Sequence, residues 1–188
     1  MKLRFIHFIS VLCLAIIMVI PTESALAQGK RGGERGHFPS GRASTMHVRG
    51  PQYGTIRNRV PTGAKQMNFR GETFHWHNGV YYHPNGKRFV VVRPPIGLRI
   101  GVLPIDCFML TIGAIPYYYY YGTFYTTVNN EYEVVDPPVG ALVEELPSDC
   151  EEVTIDDKVY YKVDDTYYRA VVDKRNKIMF EVVGKSVK

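Results

Sequence analysis

Short stretches of alternating apolar and polar residues, broken by turn residues, dominate the chain from about residue 61 onward. Residues 74–82 show this most clearly, because aromatic and β-branched residues flank Asn78 and Gly79, the favoured pair for a two-residue hairpin turn. No stretch after residue 27 has apolar residues at helical spacing. The pattern therefore predicts β-strands and an all-β fold.

The predicted turn also decides which side chains share a face of the sheet. Residue 77 pairs with 80, 76 with 81 and 75 with 82, and successive side chains point to opposite faces. One face is expected to carry Phe74, Trp76, Tyr81 and His83, and the other His75, His77, Val80 and Tyr82.

The hairpin returns at residues 117–125 and 160–168, at a constant spacing of 43 residues. Leu-Pro or Val-Pro dipeptides and Pro-Pro-x-Gly segments keep the same spacing, which predicts three tandem repeat units, each a four-stranded meander. Because 43 residues are too few to bury a core alone, the units are expected to pack as one domain, with the Pro-Pro segments as extended links. The predicted units are residues 61–103, 104–146 and 147–188, and the third has strands at 151–155, 158–163, 166–172 and 178–183.

The first 27 residues have the three parts of a secretory signal. Lys2 and Arg4 precede a mostly apolar run at residues 5–20, and Ala-Leu-Ala follows at 25–27. The run is 16 residues long, shorter than the roughly 20 that a membrane-spanning helix needs. We therefore expect export to the periplasm or the outer membrane, cleavage after Ala27, and no transmembrane span in the mature chain.

Residues 28–60 are rich in Gly, Arg, Ser and Pro and contain no apolar run, which predicts a disordered basic tail. Residues 28–71 carry nine basic residues and one acidic residue, whereas residues 72–188 carry twelve basic and sixteen acidic residues. Such a tail can bind an anionic membrane surface or an envelope polymer, or it can serve as a solvated spacer. Nucleic acid is not an expected partner of an exported chain.

Residues 132–140, Tyr-Glu-Val-Val-Asp-Pro-Pro-Val-Gly, are the most specific motif, together with Leu146-Pro147. With the signal, the basic tail and the Tyr-Tyr hairpins, they make residues 74–183 resemble the bacterial envelope family known as domain of unknown function 6515. The resemblance implies a secreted protein of a Gram-negative bacterium, and it implies no activity or catalytic residues. The first repeat unit departs from the pattern at His75, Trp76 and His77.

His75 and His77 are two residues apart on one predicted strand, so their side chains are expected on one face about 7 Å apart. That spacing can supply two imidazole ligands to a transition metal. His83 falls on the opposite face, which weakens a three-histidine site. The alternative is an ordinary polar, partly exposed sheet face.

Cys107 and Cys150 are the two cysteines of the predicted mature chain, and they hold equivalent positions in successive repeat units. An even count in an oxidising compartment favours a disulfide, which would contribute about 4 kcal/mol by restricting the unfolded chain. The alternatives are two free thiols or a nucleophile, although no histidine is tied to either cysteine by a motif.

Aromatic residues at 117–121 place rings on both faces of one predicted strand. They either fill the space between packed sheets or form an exposed platform for the sugar rings of an envelope polymer. The candidates for such an aromatic surface are Trp76, Tyr118, Tyr120 and Tyr125.

No Gly-x-Ser-x-Gly elbow, phosphate loop or His-Glu-x-x-His motif is present, so an enzyme is not expected, nor is a cofactor. The sequence favours a non-catalytic structural or interaction module of the cell envelope. One alternative is a periplasmic transition-metal-binding protein that uses His75 and His77. A second alternative is a carbohydrate-active envelope protein.

Overall fold

Fifteen strands in three antiparallel sheets make up the computed structural model, which describes residues 50–186 and contains no helix within them. The predictions for residues 1–27 and 28–49 lie outside the described residues. Sheet 1 consists of β1 Ile56–Arg57, β2 Lys65–Phe69, β3 Glu72–His77, β4 Val80–Asn85 and β5 Arg88–Val92. Sheet 2 consists of β6 Arg99–Ile100, β7 Phe108–Ile112, β8 Ile115–Tyr120, β9 Thr123–Val128 and β10 Glu131–Val135. Sheet 3 consists of β11 Leu142–Val143, β12 Glu151–Ile155, β13 Lys158–Val163, β14 Thr166–Val172 and β15 Ile178–Lys185.

Each sheet contains the predicted four-stranded meander and one additional strand. The strand orders are β1-β5-β4-β3-β2, β6-β10-β9-β8-β7 and β11-β15-β14-β13-β12, so the first short strand of each sheet pairs with its last strand. The all-β prediction is confirmed, but the count of four strands is wrong. A strand of two residues is too short to show alternation, and the pattern could not reveal it.

The Pro-containing segments before these short strands form turns, whereas extended links were predicted. The Leu98 amide donates to the Pro95 carbonyl at 3.1 Å, and the Gly97 amide donates to the Val134 carbonyl of sheet 2 at 2.7 Å. The Gly54 amide bonds the Val91 carbonyl of sheet 1 in the same way, at 2.8 Å. The repeat therefore starts before residue 61, and residues 51–60, which were predicted to belong to a disordered tail, contain β1, which pairs with β5 of sheet 1.

The predicted hairpin register is confirmed. His77 pairs with Val80, Trp76 with Tyr81 and His75 with Tyr82. Asn78 and Gly79 both have positive φ, 49° and 80°, as a tight hairpin turn requires. The strands of the third sheet lie where they were predicted, and β15 runs two residues further.

The sheets stack in one direction, and each interface repeats the one before it. We call the face that carries Phe74 and Tyr81 in sheet 1, and its equivalents in sheets 2 and 3, the forward face, and the opposite face the rear face. The forward face of sheet 1 packs on the rear face of sheet 2, which carries Tyr125 and Val134. The forward face of sheet 2, with Phe124, packs on the rear face of sheet 3. Sheet 2 is therefore covered on both faces.

Candidate interaction surface

Five large apolar side chains of sheet 2 and of the loop between β6 and β7 are exposed. Four of them lie just before β7, on β7 and at the start of β8, and we call these four the apolar edge. Its members and their exposed fractions are Ile105 (85%), Phe108 (38%), Met109 (62%) and Ile115 (51%), whereas Val102 (59%) follows β6 at the opposite end of the strand order. Single exposed apolar residues are ordinary, whereas a group of four at one edge indicates a contact surface.

The other two repeat units carry polar or charged residues at all five of these positions. The equivalents in the first unit are Arg59, Thr62, Lys65, Gln66 and Glu72, and those in the third are Glu145, Ser148, Glu151, Glu152 and Lys158. All ten are exposed. The fold therefore does not need apolar side chains there, so packing within the domain does not explain the apolar edge.

Strand β7 is one of the two outer strands of sheet 2, and among the described residues its one pairing partner is β8. Its five residues contain no charge and no proline. The corresponding outer strands β2 and β12 begin with Lys65 and with Glu151 and Glu152, and charges at a sheet edge discourage pairing with another chain. Strand β7 has no such charge.

A cavity of about 720 Å³ lies next to the start of β7. Aromatic rings of Phe108 and Tyr120 line one part of it, and Asp106 and Glu144 line another. The Glu144 carboxylate lies 2.5 Å from the Lys177 ammonium, so one of these acids already has a partner. The cavity extends the apolar edge with a negatively charged pocket.

Cys107 lines the same cavity as a free thiol. Its Sγ donates a hydrogen bond to the Tyr119 carbonyl at 3.4 Å, and burial raises the pKa of the thiol to about 12. A thiol with so high a pKa stays protonated at neutral pH and is a poor nucleophile. Burial therefore argues against Cys107 as an activated nucleophile.

The predicted disulfide is absent, because Cys150 is also a free thiol. Equivalent residues of stacked sheets are about 10 Å apart, whereas the Cα atoms of a disulfide lie about 4.4–6.8 Å apart. From the general sheet spacing we therefore expect equivalent positions in successive units to lie further apart than a disulfide spans, and both thiols are free in the structure. Cys150 packs against the cluster between sheets 2 and 3, and burial raises its pKa.

The aromatic candidates lie between sheets 1 and 2, so they do not form an exposed platform. Tyr125 is fully buried, and Trp76, Tyr118 and Tyr120 are half-buried against the same cluster. The alternative prediction, that the rings fill the space between packed sheets, describes them correctly. Sheet 2 has a neighbour on both faces, which alternation within one strand could not reveal.

His75 and His77 lie on the rear face of sheet 1, as their spacing predicts, with the His75 ring 5.2 Å from that of Phe89. His83 lies on the forward face and its Nε2 is 2.8 Å from the Glu72 carboxylate. Within residues 50–186, no group of three or more His, Cys, Asp or Glu side chains could hold a metal ion. The two-histidine site stays a prediction.

Arg93 joins the first repeat unit to sheet 3. Its Nη2 is 3.0 Å from an Asp149 oxygen, and its Nε is 2.6 Å from an Asp164 oxygen, an ion pair outside hydrogen-bond geometry. The guanidinium carbon lies 3.8 Å from the centre of the Tyr53 ring. These contacts tie the first repeat unit to sheet 3, so we assign the cluster a role in stability.

The match to a known protein family covers the repeat region of the chain. The sequence profile of a family of unknown function, DUF6515, matches residues 38–186. The chain belongs to this family. No curated protein and no solved structure matches the chain. Membership of DUF6515 therefore establishes a relationship but no activity. In residues 50–186 of this DUF6515 chain, no helix is long and apolar enough to cross a membrane.

The apolar edge was not singled out from the sequence of this DUF6515 chain. The signal was present, because aligning the units at 43 residues shows apolar residues in the middle unit where the others are polar. The aligned units do not show which side chains are exposed to solvent. Without the fold, these apolar residues would be assigned to the core.

Proposed function

We propose that this protein is a non-catalytic interaction module of the cell envelope that binds through the apolar edge. The observation that carries the proposal is the contrast between Ile105 and Met109, both strongly exposed, and the polar residues at the same positions of the other units. Exposed apolar groups are retained at a cost in solubility, and contact with a partner removes that cost.

The proposed location rests on the signal pattern of residues 1–27. The test is fractionation of Gram-negative cells that express the chain with and without these residues. Recovery in the periplasm or the outer membrane, with processing after Ala27, supports export. Retention of both forms in the cytoplasm would remove the envelope from the proposal.

Binding is tested by co-sedimentation of residues 28–188 with isolated outer membrane and with peptidoglycan. The test variant carries Ile105→Ser and Met109→Gln, which introduce residues that the other units already hold at these positions. The matched control carries Thr62→Ala and Gln66→Ala at the equivalent sites of the first unit. We expect the wild type and the control to pellet and the test variant to lose at least about tenfold in affinity, a typical cost of removing a central apolar contact.

Equal pelleting of the test variant and the wild type would show that the apolar edge is not the binding surface. A version that lacks residues 28–49 separates the contribution of the basic segment, because binding through charge falls with added salt. Binding through the apolar edge changes little with salt.

A further inference from the structure

The free edge of sheet 2 has the properties of a self-pairing strand. We infer that β7 pairs antiparallel with β7 of a second copy of this chain, joining two five-stranded sheets into one ten-stranded sheet. The inference rests on the proposed function, because it takes the apolar edge as a binding surface and names its partner.

The main chain supplies the first argument. As an outer strand, β7 directs one row of amide and carbonyl groups away from β8, and an added strand satisfies such a row. The corresponding outer strands of the other sheets begin with charged residues, Lys65 on β2 and Glu151 on β12, whereas β7 begins with Phe108. The opposite edges carry strands of two residues, so β7 is the five-residue outer strand that offers no charge to oppose pairing.

Symmetry supplies the second argument. An antiparallel pair centred on Leu110 places Phe108 opposite Ile112 of the second copy and Met109 opposite Thr111. Beyond the strand, Asp106 falls opposite Ala114 of the second copy, so no two like charges face each other. Only uncharged side chains of the two β7 strands face each other in this pairing, so β7 is complementary to a second copy of itself.

Side-chain contacts supply the third argument. Ile115 pairs with Ile112 across sheet 2, and Phe108 pairs with Tyr119 in the same register. The proposed pairing joins these into one row on the forward face, Ile115 and Ile112 of one copy followed by Phe108 and Tyr119 of the other. The exposed Phe108 of each copy is thereby placed against Ile112 of the other in two symmetry-related contacts.

The outer faces of the stack are less suited to self-association. The forward face of sheet 3 has no described sheet over it and carries Lys158, Lys162 and Arg169 together with Glu151 and Glu181, the last of which pairs with Arg169. The rear face of sheet 1 offers Arg57 and no acidic strand residue to match the basic side chains. Head-to-tail stacking would therefore cover charges of both signs on sheet 3 and supply no acidic partner for its lysines, whereas pairing at β7 opposes no like charges.

The test is sedimentation velocity of residues 28–188 over a concentration series from about 1 to 200 µM, a range suited to an interface smaller than the standard size. We expect a concentration-dependent shift from monomer to dimer. The variant Phe108→Glu with Met109→Glu carries the residues that β12 already holds, and we expect at least a tenfold weaker dimer. Gln66→Glu on β2 is the matched control and is expected to leave the dimer unchanged. Circular dichroism confirms that each variant is folded.

Hydrogen–deuterium exchange distinguishes strand pairing from a contact of side chains alone. Amides of β7 should exchange more slowly in the dimer, while those of β2 and β12 stay unchanged. A wild-type chain that is monomeric throughout the series, or a dimer unaffected by the β7 variant, overturns the inference. So does a dimer in which β7 is not protected.

The outcomes separate this inference from the proposed function. A monomer that still pellets with envelope material through Ile105 and Met109 overturns the dimer and leaves the interaction module standing. A dimer that pellets with neither fraction supports the inference and removes the support for a separate envelope partner.

Discussion

The buried hydroxyl of Tyr168, between sheets 2 and 3, leads to a specific prediction about stability. Between sheets 1 and 2, the buried hydroxyls of Tyr81 and Tyr125 lie 3.2 Å apart and form a hydrogen bond. At the next interface, Phe124 stands at the position of Tyr81 and Tyr168 at that of Tyr125. The buried Tyr168 hydroxyl has no hydrogen-bond partner among the described residues.

Removing that hydroxyl with Tyr168→Phe should stabilise the fold. A buried polar group without a partner costs about 1–3 kcal/mol, so we expect the free energy of unfolding to rise by about 1 kcal/mol. The matched change Tyr125→Phe should lower it by about 1–2 kcal/mol, because it breaks a hydrogen bond and leaves the Tyr81 hydroxyl without a partner. Equivalent substitutions are thus expected to act in opposite directions.

Urea unfolding followed by the fluorescence of Trp76, the one tryptophan, measures both changes. In a thermal scan, a change of 1 kcal/mol corresponds to about 3–5 °C in a domain of this size. Phe124→Tyr offers a third variant, since it restores a possible partner and should make a subsequent Tyr168→Phe change destabilising. If Tyr168→Phe lowers stability as much as Tyr125→Phe, the account of an unpaired hydroxyl is wrong.

Three further predictions concern titration, ion pairing and thiols. Burial raises the pKa of four tyrosines in the sheet interfaces, Tyr81, Tyr119, Tyr125 and Tyr168, so the unfolded chain loses these protons at a lower pH than the folded chain. The free energy of unfolding should therefore be constant below about pH 10 and fall above it by up to about 1.4 kcal/mol per pH unit for each tyrosine. Urea midpoints measured from pH 7 to 11 test this. Arg93→Ala should cost about 1–2 kcal/mol in urea unfolding, since its partners are partly exposed, while Arg169→Ala at the more exposed pair with Glu181 should cost less than about 0.5 kcal/mol. Residues 28–188 should titrate two thiols after unfolding, and reductant should leave the melting temperature unchanged.

Each of these three predictions has an outcome that contradicts it. Stability that stays constant to pH 11 would mean that the tyrosines are not held protonated by burial. Equal losses of unfolding free energy for Arg93→Ala and Arg169→Ala would show that the contacts of Arg93 stabilise the fold no more than an exposed ion pair does. A thiol count of zero, with a melting temperature that falls in reductant, would restore the disulfide.

The fold class could be read from the sequence because its determinants are local. Asn78 and Gly79 set a two-residue turn, the turn sets the register, and alternation sets the two faces, all within one hairpin. The 43-residue period then extended that result to three sheets. Local chemistry also gave the strand limits of sheet 3 almost to the residue.

The stacking of the sheets decided what the local pattern left open. Alternation shows that Tyr125 and Met109 lie on the rear face of sheet 2, but only stacking buries Tyr125 and leaves Met109 exposed at the edge. The separation of Cys107 from Cys150 likewise depends on the distance between sheets and not on their place within a unit. Burial and the reach between distant residues arise from packing between units, so they were decided by the tertiary structure.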